Sequence, residues 1–203
     1  MSDLPNLPPA ETREIDTPHG PARVHVRLAP EARGTLVLGH GAGGGVDAPD
    51  LRAAARAALA AGVSAVLTEQ PYRVAGRRAP APAGQLDTAW LAIVAELTGP
   101  LVFGGRSSGA RVACRCAAEG KAVGVFCLAF PVHPPGKPEK HRMAEIDGVE
   151  VPVLVVQGAR DPFGMLESTD TRTVVVVEGD HSLRKANAEI ERVLPEFLDR
   201  LLA

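Results

Sequence analysis

The chain has 203 residues and a mass of 21.2 kDa, and its 22 Lys and Arg against 24 Asp and Glu leave a net charge of −2. Apolar residues make up 45% and charged residues 23%, the balance of a globular chain and not a disordered one. This charge gives no general attraction for nucleic acid or anionic membrane, and the aromatics (five Phe, one Trp, one Tyr) are too few for a base-stacking platform. Surface scaling gives roughly 9,000 Å² exposed when folded against roughly 31,000 Å² extended, so the core needs no disulfide or metal staple.

Residues 1–11 begin M-S-D-L-P-N-L-P-P and are expected to form a loose arm ahead of a single domain over 12–203. With neither a basic start nor an apolar run there, no signal peptide is read and a cytoplasmic location is expected. R-E-I-D and R-V-H-V-R-L alternate apolar and polar residues, predicting two antiparallel strands joined at H-G-P. Short apolar runs then recur at 35–39, 63–68, 101–104, 123–130, 151–156 and 173–177. Such runs are strands buried on both faces, as parallel sheets require. Even the longest apolar stretch, 123–132, is half of the about 20 residues that a membrane span needs.

Helical stripes lie between the runs. Leu51, Ala54, Ala55, Ala58 and Leu59 share one face, with Asp50 expected as N-cap and Gly62 just past the end. Residues 86–97 and 108–119 also read as helices, and Ile190, Val193, Leu194, Phe197 and Leu198 form a last stripe expected to kink at Pro195. Strands alternating with helices predict an α/β doubly wound sheet of about eight strands with an antiparallel start. The segment 131–150 is the one polar, Pro-rich insertion. Cys114, Cys116 and Cys127 read as small buried thiols, and no metal site is expected.

The most specific motif is F-G-G-R-S-S-G-A-R at 103–111, which holds G-x-S-x-G directly after a strand and before a helix. A serine on such a turn sits in strained backbone, and its neighbours two positions away must lack bulky side chains, which Gly105 and Gly109 satisfy. Ser107 is therefore the candidate nucleophile. A hydroxyl needs a base and the base an orienting acid. His181, after the last strand, and Asp161, after the strand before it, fall at the C-terminal sheet edge in the chain order Ser, Asp, His. Asp180 and Asp170 are the weaker rivals for the acid. The loop L-G-H-G-A-G-G-G at 38–45 can turn the Ala42 N–H, together with that of Ser108, towards an acyl oxygen as an oxyanion hole.

Gly39, Gly41 and Gly44 also satisfy G-x-G-x-x-G, with Glu69 at the next strand end, so a dinucleotide site competes. That fingerprint wants a helix opening at the glycines, whereas V-D-A-P intervenes here, and there is no G-K-[ST] phosphate loop. The loops at 71–80 and 131–142 are expected to overhang Ser107. Tyr72, Arg77, Arg78 and His133, with His40, Arg73, Lys137 and His141, are candidate substrate contacts or simply solvated basic groups. Arg106 and Arg111 are expected to pair with carboxylates.

In this order, strand-H-G-A-G-G, G-G-R-S-S-G, G-x-x-D-P and G-x-x-H-S-L resemble the α/β-hydrolase superfamily from about residue 12 onward. The short length resembles cap-poor members related to dienelactone hydrolase, which have Cys where this chain has Ser107. G-G-R-S-S-G-A-R with F-P-V-H-P-P-G-K-P resembles a family of small hydrolases related to the hydrolase-like domains of a nuclear NSL-complex subunit and a testis-expressed protein. The resemblance implies an α/β-hydrolase fold without a large cap domain. The expected activity is a serine esterase or thioesterase, acting on a small-molecule ester without cofactor, nucleic acid or membrane. The alternative is a non-catalytic binding or scaffold module on the same fold.

Overall fold

The computed structural model describes residues 7–203. The expected arm lies outside the described residues as far as residue 6; residues 7–10 have no regular structure, although Leu7 is buried. Eight strands build one sheet: β1 (Glu11–Ile15), β2 (Ala22–Arg27), β3 (Thr35–Gly39), β4 (Ser64–Glu69), β5 (Leu101–Arg106), β6 (Gly124–Leu128), β7 (Val153–Gly158) and β8 (Arg172–Val177). Their order is β1-β2-β4-β3-β5-β6-β7-β8. The β1–β2 and β2–β4 pairs are antiparallel and the rest are parallel, so the antiparallel start and the doubly wound remainder match the pattern of alternating and continuous apolar runs.

The helices are α1 (Pro49–Ala60), α2 (Pro71–Val74), α3 (Ala83–Ala95), α4 (Ser108–Cys116), α5 (Met143–Asp147) and α6 (Asn187–Leu201). The short α2 and α5 were not legible, because four or five residues hold too little periodicity to read. Period-2 alternation along the strands divides the core into two layers. One joins Phe103, Val125 and Cys127 to Trp90 of α3 and Val112 of α4. The other joins Val102, Phe126 and Leu154 to Leu51 of α1 and Leu194 of α6. Among the described residues no helix is long and apolar enough to cross a membrane.

One local expectation is corrected. Ala48, not Asp50, occupies the N-cap of α1, since Pro49 pre-sets the first helical φ and the Asp50 carboxylate is engaged by Arg106 at 2.7 Å. The 131–150 segment packs against α4 through its second half. Glu145 of α5 binds Arg111 and Arg115 of α4, and Ile146 is buried, which draws the segment's second half onto α4.

Candidate active site

The β5–α4 junction places Ser107 at φ 53° and ψ −111°, a left-handed-side conformation that a non-glycine residue adopts only at a cost of about 1–3 kcal/mol. Close packing enforces it. A Cβ at Gly105 would stand 2.6 Å from the Gly39 carbonyl oxygen, and one at Gly109 would collide with the same carbonyl. The two glycines of G-x-S-x-G thus let β3 and the start of α4 touch backbone to backbone. The Ser107 N–H donates to the Leu128 carbonyl at 2.9 Å, fixing the turn to the end of β6.

The loops after β7 and β8 bring the two partners to this hydroxyl. His181 Nε2 lies 2.9 Å from Ser107 Oγ, and His181 Nδ1 lies 2.8 Å from Asp161 Oδ2. The Asp161 side chain is fully buried and that of His181 is 17% exposed. Asp161 is fixed at both oxygens. The Phe163 N–H donates to Oδ1 at 2.9 Å, and the Gln157 amide donates to Oδ2 at 2.9 Å. The Phe163 ring lies against the imidazole with centroids 4.1 Å apart and planes 30° from parallel. Gln157 and Phe163 were missed in the sequence: one sits inside an apolar strand and the other reads as ordinary core. The rivals fall elsewhere. Asp180 accepts from the Ser182 N–H at 2.9 Å as a turn residue, and Asp170 is exposed just before β8 begins.

The glycine-rich loop after β3 passes beside Ser107: a Cβ at Gly41 would stand 3.7 Å from that of the serine. Neither the Ala42 N–H nor the Ser108 N–H donates to a backbone carbonyl among the described residues, and Ser108 opens α4 at its positive dipole end. The expected contacts of His40 and Tyr72 with substrate are corrected here. Both are buried and hold this loop instead. His40 Nε2 accepts from the Gln70 N–H at 3.2 Å, so Nδ1 carries the proton and donates to the Gly41 carbonyl at 2.8 Å. Burial pushes the His40 pKa down, which keeps the ring neutral. The Tyr72 hydroxyl donates to the Ala42 carbonyl at 2.9 Å.

Arg106 pairs with a carboxylate as expected, and does more. Its Nε reaches Asp50 Oδ2 at 2.7 Å, while Nη2 donates to the His181 carbonyl at 2.8 Å. Arg111 pairs with Glu145, which is held below the usual range against its burial by the Arg111 and Arg115 guanidiniums. Arg77, Arg78, Lys137 and His141 are exposed, and no ion pair involves them among the described residues. His133 is half-buried, donates its N–H to the Phe163 carbonyl at 2.9 Å and packs against Gly164, so it supports the Asp161 loop. Glu69, the candidate ribose ligand of the dinucleotide reading, faces His25 Nε2 at 2.7 Å. All three cysteines are buried, as expected, with Cys114 and Cys127 Sγ atoms 3.6 Å apart.

Among solved structures, a lidless α/β serine hydrolase from Xanthomonas campestris superposes with a TM-score of 0.79 at 21% identity, covering 98% of each chain. Est1E from Butyrivibrio proteoclasticus gives 0.76 at 15% identity over 94% of this chain and 98% of that one. A dienelactone hydrolase from Anabaena variabilis gives 0.74 at 17% identity over 96% and 98%. No curated protein sequence matches this chain at a significant level. The family model described as alpha/beta hydrolase domain matches residues 32–197, a span that holds the glycine-rich loop, Ser107, Asp161 and His181. The chain belongs to the α/β-hydrolase domain family.

Proposed function

We propose that the protein is a serine hydrolase of small carboxylic esters or thioesters, working through an acyl-enzyme on Ser107. The observation that carries this reading is the hydrogen-bonded line from Ser107 Oγ through His181 to Asp161, at 2.9 and 2.8 Å, beside a loop with a free N–H. Ser107 Oγ attacks the acyl carbon while His181 Nε2 takes its proton; Asp161 holds Nδ1–H and stabilises the imidazolium that forms. The Ala42 and Ser108 N–H groups receive the oxyanion, a contribution of about 2.7–4 kcal/mol for each such donor in comparable sites. His181 then protonates the leaving alcohol or thiol, and a water activated by the same nitrogen releases the acid. The lidless serine hydrolase and the dienelactone hydrolase among the similar structures support the same class of chemistry.

A fluorophosphonate tests it directly. The expected result is one adduct, on Ser107, lost in both Ser107→Ala and His181→Ala, with p-nitrophenyl acetate turnover lost in parallel. An unlabelled folded protein would overturn the reading and leave a non-catalytic module on a hydrolase fold.

A further inference from the structure

A cavity of about 260 Å³ lies between β2, the end of β4, the start of α1 and the short α2. Three guanidiniums line it, from Arg27, Arg52 and Arg73, together with His25, against the carboxylates of Glu69 and Asp47. Those acids are spent or peripheral. Glu69 Oε1 is engaged by His25 Nε2 at 2.7 Å and stands 3.9 Å from Arg23. Asp47 is 90% exposed and 3.6 Å from Arg52. Arg27 gives its Nε to the Pro8 carbonyl at 2.8 Å, and neither Arg27 nor Arg73 has an ion-pair partner among the described residues.

Three half-buried cations gathered around one hollow repel each other, and among the described residues the exposed Asp47, 3.6 Å from Arg52, is the one acid paired with any of them. Burial first, and the charge of Arg52 second, hold Arg27 below its ordinary pKa, against the opposing charge of Asp47. Guanidinium forks match carboxylate and phosphate oxygens two at a time, and a half-dry cavity strengthens that attraction. Leu7, Val46 and Leu67 add an apolar wall for a short carbon tail. We propose that this cavity is an anion site, holding a carboxylate or phosphate group between Arg27, Arg52 and Arg73. Its position couples it to the loop beside Ser107. Gly45 and Val46 of its wall belong to the segment that carries Ala42, and Arg73 follows Tyr72, which holds the Ala42 carbonyl. The anion is either the charged end of an ester or a free ion that stiffens the loop; the binding claim itself does not rest on the hydrolase reading.

The test uses inorganic phosphate at constant ionic strength, with chloride as the matched control, and melting temperature as the readout. Wild type and Ser107→Ala are expected to gain roughly 3–5 °C at a phosphate concentration ten times Kd, and Arg27→Gln/Arg73→Gln to gain nothing. Arg73→Gln alone, a change at a half-exposed position, is expected to weaken phosphate binding at least about fivefold by calorimetry, which covers the case of an unfolded double variant. A second arm compares p-nitrophenyl hydrogen succinate with p-nitrophenyl acetate. A drop in kcat/KM confined to the charged ester in Arg73→Gln assigns the site to substrate; equal rates with both esters assign it to a free anion. Wild type that ignores phosphate, or arginine variants that respond like wild type, would overturn the site, and neither outcome bears on labelling of Ser107.

Discussion

Gln157 Nε2 lies 2.9 Å from Asp161 Oδ2, the same oxygen that faces His181 Nδ1 at 2.8 Å. The glutamine is fully buried, and its amide also reaches the Phe130 and Gly164 carbonyls at 3.2 and 3.0 Å. It therefore locks the rotation of the carboxylate against the imidazole and ties the loops after β6 and β7 together. Gln157→Met keeps the volume and removes the donor. A hydrogen bond to a charged group contributes about 1.5–3 kcal/mol, so kcat should fall about 10- to 100-fold while KM stays within about twofold. Steady-state kinetics with p-nitrophenyl acetate checks this; an unchanged kcat would mean Phe163 alone suffices to hold Asp161.

Arg106 connects three pieces of the site: the strand before Ser107, the carbonyl of His181, and Asp50 at the start of α1. The Asp50 side chain is 2% exposed, and burial, opposed by Arg106, raises its pKa. Arg106→Met leaves that carboxylate unpaired and should destabilise the fold by about 3–5 kcal/mol. Adding Asp50→Asn removes the stranded charge, so the double variant should regain much of the lost melting temperature. It should not regain turnover, because the His181 carbonyl still lacks its donor. Recovery of both together would reduce Arg106 to a purely structural role.

His40 predicts a pH effect on stability, separate from any effect on rate. Its folded pKa lies below the unfolded value of 6.5, chiefly through burial and then through the nearby Arg73 charge. Below that value the unfolded chain binds a proton that the folded one resists, so stability is present above pH 6.5 and is lost progressively as pH falls beneath it. Protonation would also remove the Nε2 acceptor used by the Gln70 N–H. Melting curves between pH 7.5 and 5 should therefore slope less steeply in His40→Gln than in wild type. Parallel slopes would show that other groups carry the acid sensitivity.

The sheet was legible because buried strands announce themselves as continuous apolar runs and the antiparallel β1 and β2 as alternation, and β3 to β8 lie within two residues of the runs; β8, read as buried on both faces, is an edge strand with Val176 exposed. Ser107, Asp161 and His181 were legible as candidates because strained turns and strand ends carry glycine and Asp-Pro signatures, and the structure brings the three together. What surrounds them was hidden. His40 and Tyr72 look like pocket residues from their place in glycine- and arginine-rich loops, yet His40 ties Gly41 to Gln70 and the Tyr72 hydroxyl holds the Ala42 carbonyl. Gln157 looks like a lapse in an apolar run, and nothing local says that its partner is four residues ahead. Long-range pairs such as Arg106 with the His181 carbonyl exist only once the loops have converged.

Under the proposed esterase activity, the acyl chain length accepted is expected to follow from where the 131–150 segment lies. The Glu145 carboxylate spans Arg111 and Arg115, Ile146 is buried, and the Arg142 N–H donates to the Val132 carbonyl at 2.7 Å. The segment is thus bound along α4 and to the start of its own loop, and the exposed stretch it leaves, residues 135–141, is Pro-rich and basic. That stretch offers little apolar surface to enclose a long chain. Each methylene buried contributes about 0.8 kcal/mol, so a closed tunnel would raise kcat/KM by roughly 200-fold from a butyryl to an octanoyl ester. In an open site those four methylenes stay in water and gain nothing. A p-nitrophenyl ester series from C2 to C12 should therefore peak between acetyl and butyryl and stay flat or fall beyond. A Ser107-dependent maximum at C8 or longer would require an apolar channel, and α5 would then have to leave α4 to build it. Glu145→Ala, which frees α5 from both arginines, would in that case shift the preference to longer chains; under the open-site reading it leaves the profile where it was.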